Sequence, residues 1–417
     1  TACDYHFIKD STFISGSDTV FISRLHGKTI INHGVLSIKK KIIVDSLINE
    51  SVLVIQVDSQ NIDGEFIFNS TSNSLVFNKN GDQNIPLTIT AVNNLIIKNS
   101  GNKILTNNIL INGDLTIGNF SSLKCDSFQL HGNQNGKIKI DSLGSLKIGH
   151  NLNNQDIIFP TLFKDIELHD SSTVYYLAKG NQTISSLPIY GNITIDDGAV
   201  DSSFKTLSGD NLLIKGNLTL SESSLILMID ENLIDLKGDW NGPGKINLTS
   251  GVFKIEGDGN SDGELNAGNS EVIYCGSKEQ KIKIAKYYNL TINKTGKAIT
   301  KANLGSLDVL NKTWVKNGCL DFNSEEVSIA NLIIDDSVTF SSKLQDKRFK
   351  EILINNTGRF LLNYDEEVSI SGSIHCDGSF ICEQGKIHFS DSSKNQSISG
   401  LGTIELGCFF NGEVPFA

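Results

Sequence analysis

The sequence predicts an all-β fold, a parallel β-helix (β-solenoid), on three observations. Short apolar runs recur with strict alternation, as in Leu218-Thr219-Leu220, the pattern of a half-buried strand. Gly, Asn, Asp and Ser fill the gaps, and they tolerate the bent or left-handed backbone of a corner. Three stretches just under a hundred residues apart also say nearly the same thing. Ser74-Leu75-Val76-Phe77 is followed by Gln83 and Asn94-Leu95-Ile96-Ile97. Thr173-Val174-Tyr175-Tyr176 is followed by Gln182 and Asn192-Ile193-Thr194-Ile195. Glu271-Val272-Ile273-Tyr274 is followed by Gln280 and Asn289-Leu290-Thr291-Ile292. The glutamines lie 99 and 98 residues apart and the asparagines 98 and 97. A fixed period without long helices means a structure built by stacking, and a stack is elongated.

The elements follow in order. Val20-Phe21-Ile22 with Lys28-Thr29-Ile30 opens the series, with Lys in the place of Gln. Lys39-Lys40-Lys41 reads as a solvated turn. The strong copies cover about 74–97, 173–195 and 271–292. Between them, Ile111 to Leu123 aligns with Ile214 to Ile226, and less well with Val309 to Asp321, where Trp314 replaces Thr. Ile111-Asn112-Gly113-Asp114 is one of the few candidates for a tight hairpin. Leu225 to Leu236 is ambiguous between helix and strand. Lys343 to Ile354 has helical spacing, but it occupies the part of a weaker repeat that begins at Val338 and carries Gln345, so it reads as loop and strand. Ile387 to Leu406 forms a last copy. No low-complexity linker interrupts the pattern, so residues 1–417 read as one continuous solenoid of super-repeats of about 98 residues. Irregular connections between strands favour parallel rungs over a meander, right-handed by the general bias of parallel crossovers. At roughly 20 to 25 residues per turn and a spacing of about 4.8 Å, the expectation is about 17 to 20 rungs and a rod on the order of 80 to 95 Å.

Composition bounds the function. The 417 residues include 37 Gly, only 5 Pro, 39% hydrophobic and 20% charged residues. Few prolines suit strands that pair on both edges. A net charge of −11 argues against nucleic acid, whose phosphates need a basic face. No run of 18 apolar residues occurs, so no membrane span is expected. Thr1-Ala2-Cys3 carries no signal peptide and fits a mature end left after processing or a chosen boundary. The seven cysteines show no metal spacing. Cys376 and Cys382 are close enough in sequence for a disulfide, while burial as small apolar residues is the reading for most of the seven.

The succession Gly216-Asn217-Leu218-Thr219-Leu220, Leu236-Lys237-Gly238-Asp239-Trp240, Gly244-Lys245-Ile246, Val272-Ile273-Tyr274, Gln280 and Tyr287-Tyr288-Asn289-Leu290-Thr291-Ile292 resembles the repeats of large surface proteins of Bacteroidota. The resemblance covers most of residues 70 to 300. It departs from the family in the glycine ahead of the glutamine, read as intact only at Gly180, and in the absence of a C-terminal sorting domain before Phe416-Ala417. It implies a β-solenoid stalk of an adhesin or gliding-associated protein, exported by type IX secretion to the cell surface. It transfers no catalytic residues.

Candidate chemistry is sparse. Asp258, Asn260, Asp262 and Glu264 lie in a segment with the D-x-N-x-D-G start of a calcium loop, where alternate oxygens converge on one cation. Position twelve is Asn269 rather than Glu, so the competing reading is an acidic turn and the Ca²⁺ site a weak one. Asp196-Asp197, Asp335-Asp336 and Glu366-Glu367 are carboxylate pairs of the kind a polysaccharide hydrolase needs, but each reads as a solvated turn. His131, His150, His169, His375 and His388 read as rung-surface residues. Sequons at Asn192, Asn217, Asn247 and Asn289 read as strand-start chemistry rather than glycosylation. The repeated Gln83, Gln182 and Gln280, with Asn94, Asn192 and Asn289, are structural positions. Their amides need partners when buried, and the glutamines are expected to plug a recurrent corner by bonding backbone groups.

The function this supports is a non-enzymatic extracellular structural or adhesive protein, a rigid stalk or filament segment. Self-association end to end is open, because a stack ends in bare edges and Cys408-Phe409-Phe410 with Val414-Pro415-Phe416 forms an apolar tail. Cell-surface or glycan ligands are open too. The alternatives are a carbohydrate- or ice-binding module and a β-helix polysaccharide-degrading enzyme acting through Asp196 or Asp335.

Overall fold

A computed structural model describes residues 3–6, 11–16, 18–68, 71–149, 158–196, 203–221, 225–259, 262–294, 299–302, 306–323, 326–340, 347–362, 366–383, 385–391, 393, 396–407 and 409–411. Among these the regular structure is β-strand, apart from one 3-10 turn at Ser59–Asn61. The strands pair in parallel from one turn to the next, giving a β-solenoid of about 17 turns. The chain falls into two compact units, Thr1–Gly209 with Leu213–Gly216, and Asp210–Leu212 with Asn217–Ala417.

The core of the first unit is two apolar columns written directly by alternation. Leu36, Leu53, Leu75, Leu95, Leu115 and Ile138 lie above one another on successive turns, and so do Ile38, Ile55, Phe77, Ile97, Ile117 and Ile140. All are buried. Each such burial contributes roughly 1.5–3 kcal/mol, and in-register stacking lets every one of them be counted. A second face begins differently: Gln83 and then Lys103 occupy the inward position that Leu123, Leu146, Val174 and Ile193 take on later turns.

The second unit repeats the scheme. Ile234, Phe253, Val272, Leu290, Thr313, Leu332, Ile352 and Ile374 form one column. Thr313 is the polar member, fully buried, and its Oγ1 has no hydrogen-bond partner among the described residues. Phe322, Phe340, Phe349 and Phe360 pack as a ring cluster with centroids 5.3 to 6.4 Å apart, and Phe380 stacks on Phe360 at 4.9 Å.

Several local readings change. Lys39-Lys40-Lys41 is not a turn but part of the strand Val35–Asn49. The pairing slips there, with Ile22 opposite Ile38 and Arg24 opposite Lys41, so a bulge bends the strand without ending it. Ile111-Asn112-Gly113-Asp114 is not a hairpin. Ile109–Ile111 pairs with Ala91–Val92, while Leu115–Ile117 pairs with Asn94–Ile97, so the chain turns a corner between sheets. Leu225–Ile229 and Leu233–Leu236 are both strands, as is Lys347–Ile354, while Gln345 lies outside the described residues.

Candidate functional site

The repeated glutamines build the same corner three times. Each side chain points inward at the start of a face and is at most 2% exposed. Its Oε1 accepts the backbone N–H four residues earlier: Lys79 to Gln83 at 3.3 Å, Ala178 to Gln182 at 3.3 Å, Gly276 to Gln280 at 2.8 Å. Its Nε2 donates to carbonyls of the preceding turn: Ile55 and Val57 for Gln83, Ile148 for Gln182, Ile255 and Gly257 for Gln280. Gln396 donates likewise to Ile370 O at 3.0 Å. The backbone donor in the third copy is a glycine, Gly276, four residues before Gln280. A Cβ at Gly276 would stand 2.0 Å from Glu256 O, which explains the glycine.

Beside each glutamine lies a buried lysine that the sequence reading missed. Lys103 Nζ donates to Gly81 O and Ser100 O at 3.2 and 3.1 Å. Lys205 Nζ donates to Ala178 O and Gly180 O at 2.7 and 2.6 Å. Lys294 Nζ donates to Lys278 O at 2.7 Å and to Gln280 Oε1 at 2.8 Å. In all three copies the ammonium reaches the carbonyl two residues before the glutamine. Burial pulls Lys103 below the ordinary lysine range and Lys294 down to about 8. Phase was the available signal: Lys103 shares the parity of buried Leu105, and Lys205 that of half-buried Leu207.

The asparagines bridge turns. Asn94 Nδ2 donates to Asn73 O at 3.1 Å and its Oδ1 accepts Asp114 N–H at 2.8 Å. Asn192 Nδ2 donates to Ser172 O at 3.0 Å, and Asn289 Oδ1 accepts from Asn311 Nδ2 at 2.8 Å. Asn217 continues a column in which each side chain takes the next turn's N–H: Asp239 N–H to Asn217, Asp258 N–H to Asp239, Lys281 N–H to Asp258, at 2.9, 2.7 and 3.1 Å.

That column contains the first residue of the calcium-like segment, so Asp258 Oδ1 already has a structural task. Glu264 pairs with Lys245 at 2.8 Å, Asp262 acts electrostatically on Lys283, and Asn260 lies outside the described residues. A shallow groove of about 340 Å³ passes this corner, lined by Lys237, Asp239, Glu256, Asp258, Lys278 and Gln280. Among the described residues no three His, Cys, Asp or Glu side chains are placed to hold a metal.

The carboxylate pairs stand apart. Asp335 accepts Trp314 Nε1–H at 2.7 Å and also bonds Asn355 Nδ2, and Asp336 accepts Gly318 N–H at 2.7 Å. Asp196 N–H joins Tyr176 O at 3.0 Å, and Asp197 lies outside the described residues. Glu366-Glu367 is not a solvated pair: Glu367 is exposed and bonds Lys386 at 2.8 Å, but Glu366 is buried, being one step out of phase with it. His375 sits on the surface between Ser399 and Asp377 at 3.1 and 3.2 Å. Cys376 and Cys382 are buried and do not form the disulfide their spacing allows; Cys125 and Cys275 are buried too. Residues 412–417 of the tail lie outside the described residues. No helix among the described residues is long and apolar enough to cross a membrane. The chain matches no protein-family model, no curated protein and no solved structure.

Proposed function

We propose that this protein is a non-enzymatic structural or adhesive element of the cell exterior, a rigid stalk or filament segment of the Bacteroidota type its repeats resemble. The observation that carries this reading is the use made of polar side chains. Gln83, Gln182, Gln280, Asn94, Asp239, Asp258 and Asp336 spend their hydrogen bonds holding one stretch of backbone to another. A chain that invests its buried amides and corner carboxylates in turn-to-turn bonding favours stiffness. Charged ladders such as Asp235, Lys237, Lys254 and Glu256 offer outward breadth for a partner.

Negative-stain imaging of the purified chain tests the stalk. Separate rods on the order of 80 Å, from about 17 turns of roughly 4.8 Å, or longer rods of joined copies, support it; round particles overturn it. Glycan-array binding without turnover is the adhesive outcome. Cleavage of a polysaccharide that Asp335→Asn abolishes would replace this reading with the enzymatic one.

A further inference from the structure

In the first unit, a groove of about 560 Å³ follows one corner of the coil. Four successive turns line it, just ahead of the strands Ser74–Phe77, Asn94–Ile97, Leu115–Ile117 and Lys137–Ile140. Phe68 stands on the first turn, Asn93 on the second, Asn112 and Asp114 on the third, Asn133 and Asn135 on the fourth. At about 4.8 Å per turn, the groove runs on the order of 14 Å from turn to turn.

Backbone conformation does not account for these asparagines. A corner favours Asn where φ must be positive, yet among the described asparagines only Asn99 takes that conformation, at 64°. Some of the lining has a structural task. Asn93 Nδ2 donates to Thr71 O at 2.5 Å, Asn133 Oδ1 accepts Asn135 N–H at 2.9 Å, and Asp114 Oδ1 accepts Lys137 N–H at 2.9 Å. The side-chain amides of Asn112 and Asn135 have none: both residues are exposed, and neither amide bonds a protein group among the described residues.

The chemistry of the lining narrows the ligand. It holds no Lys, Arg or His, so no side chain there draws an anion, and its one acid, Asp114, is too few for a cation. A wholly apolar ligand would take the amides from water without replacing their bonds. Side-chain amides donate and accept at once, which matches hydroxyl groups that do the same. Phe68 adds a half-buried aromatic surface, and a few placed polar groups beside an aromatic one characterise ligand sites of about 300–1,000 Å³. We propose that this groove binds a neutral oligosaccharide, its hydroxyls on the amides of Asn112 and Asn135 and the less polar side of one sugar ring against Phe68. These contacts come from three different turns, so a run of linked rings engages them together where a single sugar does not. The proposal rests on the adhesive reading above and gives it a ligand class and a place.

The test is binding of the full chain to an array of neutral, sialylated and sulfated oligosaccharides, followed by calorimetric titration with the neutral members it retains. Neutral oligosaccharides are expected to bind, with an affinity that added salt leaves unchanged because no ion pair forms. The double variant Asn112→Ala, Asn135→Ala is expected to bind them about tenfold more weakly or worse, with circular dichroism checking that it folds. Binding confined to sialylated or sulfated members, no binding to any neutral member, or neutral binding that the double variant keeps in full each overturns the site. In the last case the adhesive reading survives on another surface. Rods in negative stain uphold the stalk whatever the array shows, so the two failures are told apart.

Discussion

Replacing Gln280 by Met removes the amide and keeps most of its volume, so its effect isolates the corner's hydrogen bonds. Four contacts disappear: Gly276 N–H to Oε1, Nε2 to Ile255 O and to Gly257 O, and Lys294 Nζ to Oε1. They are unequal. Ile255 O still receives Cys275 N–H at 2.9 Å, and Lys294 keeps Lys278 O. Gly276 N–H and Gly257 O lose the bonds described. At about 1–3 kcal/mol for each buried group left unsatisfied, two groups cost about 2–6 kcal/mol. The more apolar Met side chain returns about 1–2, leaving a net loss of about 3 kcal/mol. Trp240 is buried against Phe253 at 6.3 Å, so its fluorescence reports unfolding in urea, and hydrogen exchange over 272–282 localises the effect. A loss below about 1 kcal/mol, with exchange unchanged at Gly276, would refute the claim that the amide holds the corner.

The remaining predictions use the same unit. Lys294 has a folded value of about 8 against an ordinary 10.5, so between those pH values the unfolded chain binds more protons and stability rises with pH. The burial penalty is present in full below about pH 8, and its relief is worth on the order of 3 kcal/mol. Urea titrations across pH 7.5 to 10 are expected to show this rise in the wild type and not in Lys294→Met; equal slopes would refute it. Thr313→Val deletes an unpartnered hydroxyl from an apolar column and is expected to stabilise by about 1 kcal/mol. A destabilised variant in the same urea assay would mean that the hydroxyl has a bonding role.

The fold was legible because alternation is a local signal. Leu75 and Phe77, Leu95 and Ile97, Leu115 and Ile117 state which side of each strand is inside, and the coil puts those sides together. Gln83, Gln182 and Gln280 were legible as structural because they recur at fixed places in the motif. The charged interior was not legible. Glu366 read as half of a solvated turn, and Lys103, Lys205, Lys294 and Lys347 went unmarked, because ionisable groups are rarely buried without partners, and the partners lie on other turns. Their acceptors include Gly81 O, Gly180 O and Lys278 O, backbone atoms that no residue type announces. At Asp258 one sequence pattern fits two structures. Its cation-loop pattern is equally the pattern of a corner whose carboxylate takes the next turn's N–H.

Repetition raises a problem of register that apolar columns alone do not solve. Sliding the chain by one residue would turn every inward side chain outward, but sliding by a whole turn would set Leu95 where Leu75 was and Ile97 where Phe77 was, at little cost in buried area. Polar plugs break that degeneracy. Gln280 fits only where Gly276 N–H lies four residues behind it and Gly257 O lies on the turn before; displaced by a turn, it buries an amide against side chains that cannot bond it. The same holds for Gln83 and Lys103, which stand in a column of Leu and Val. Buried polar groups that fix register at some expense of stability are best attested in coiled coils. Their recurrence here about once per 98 residues places such a lock every few turns, close enough to stop a slipped segment from propagating.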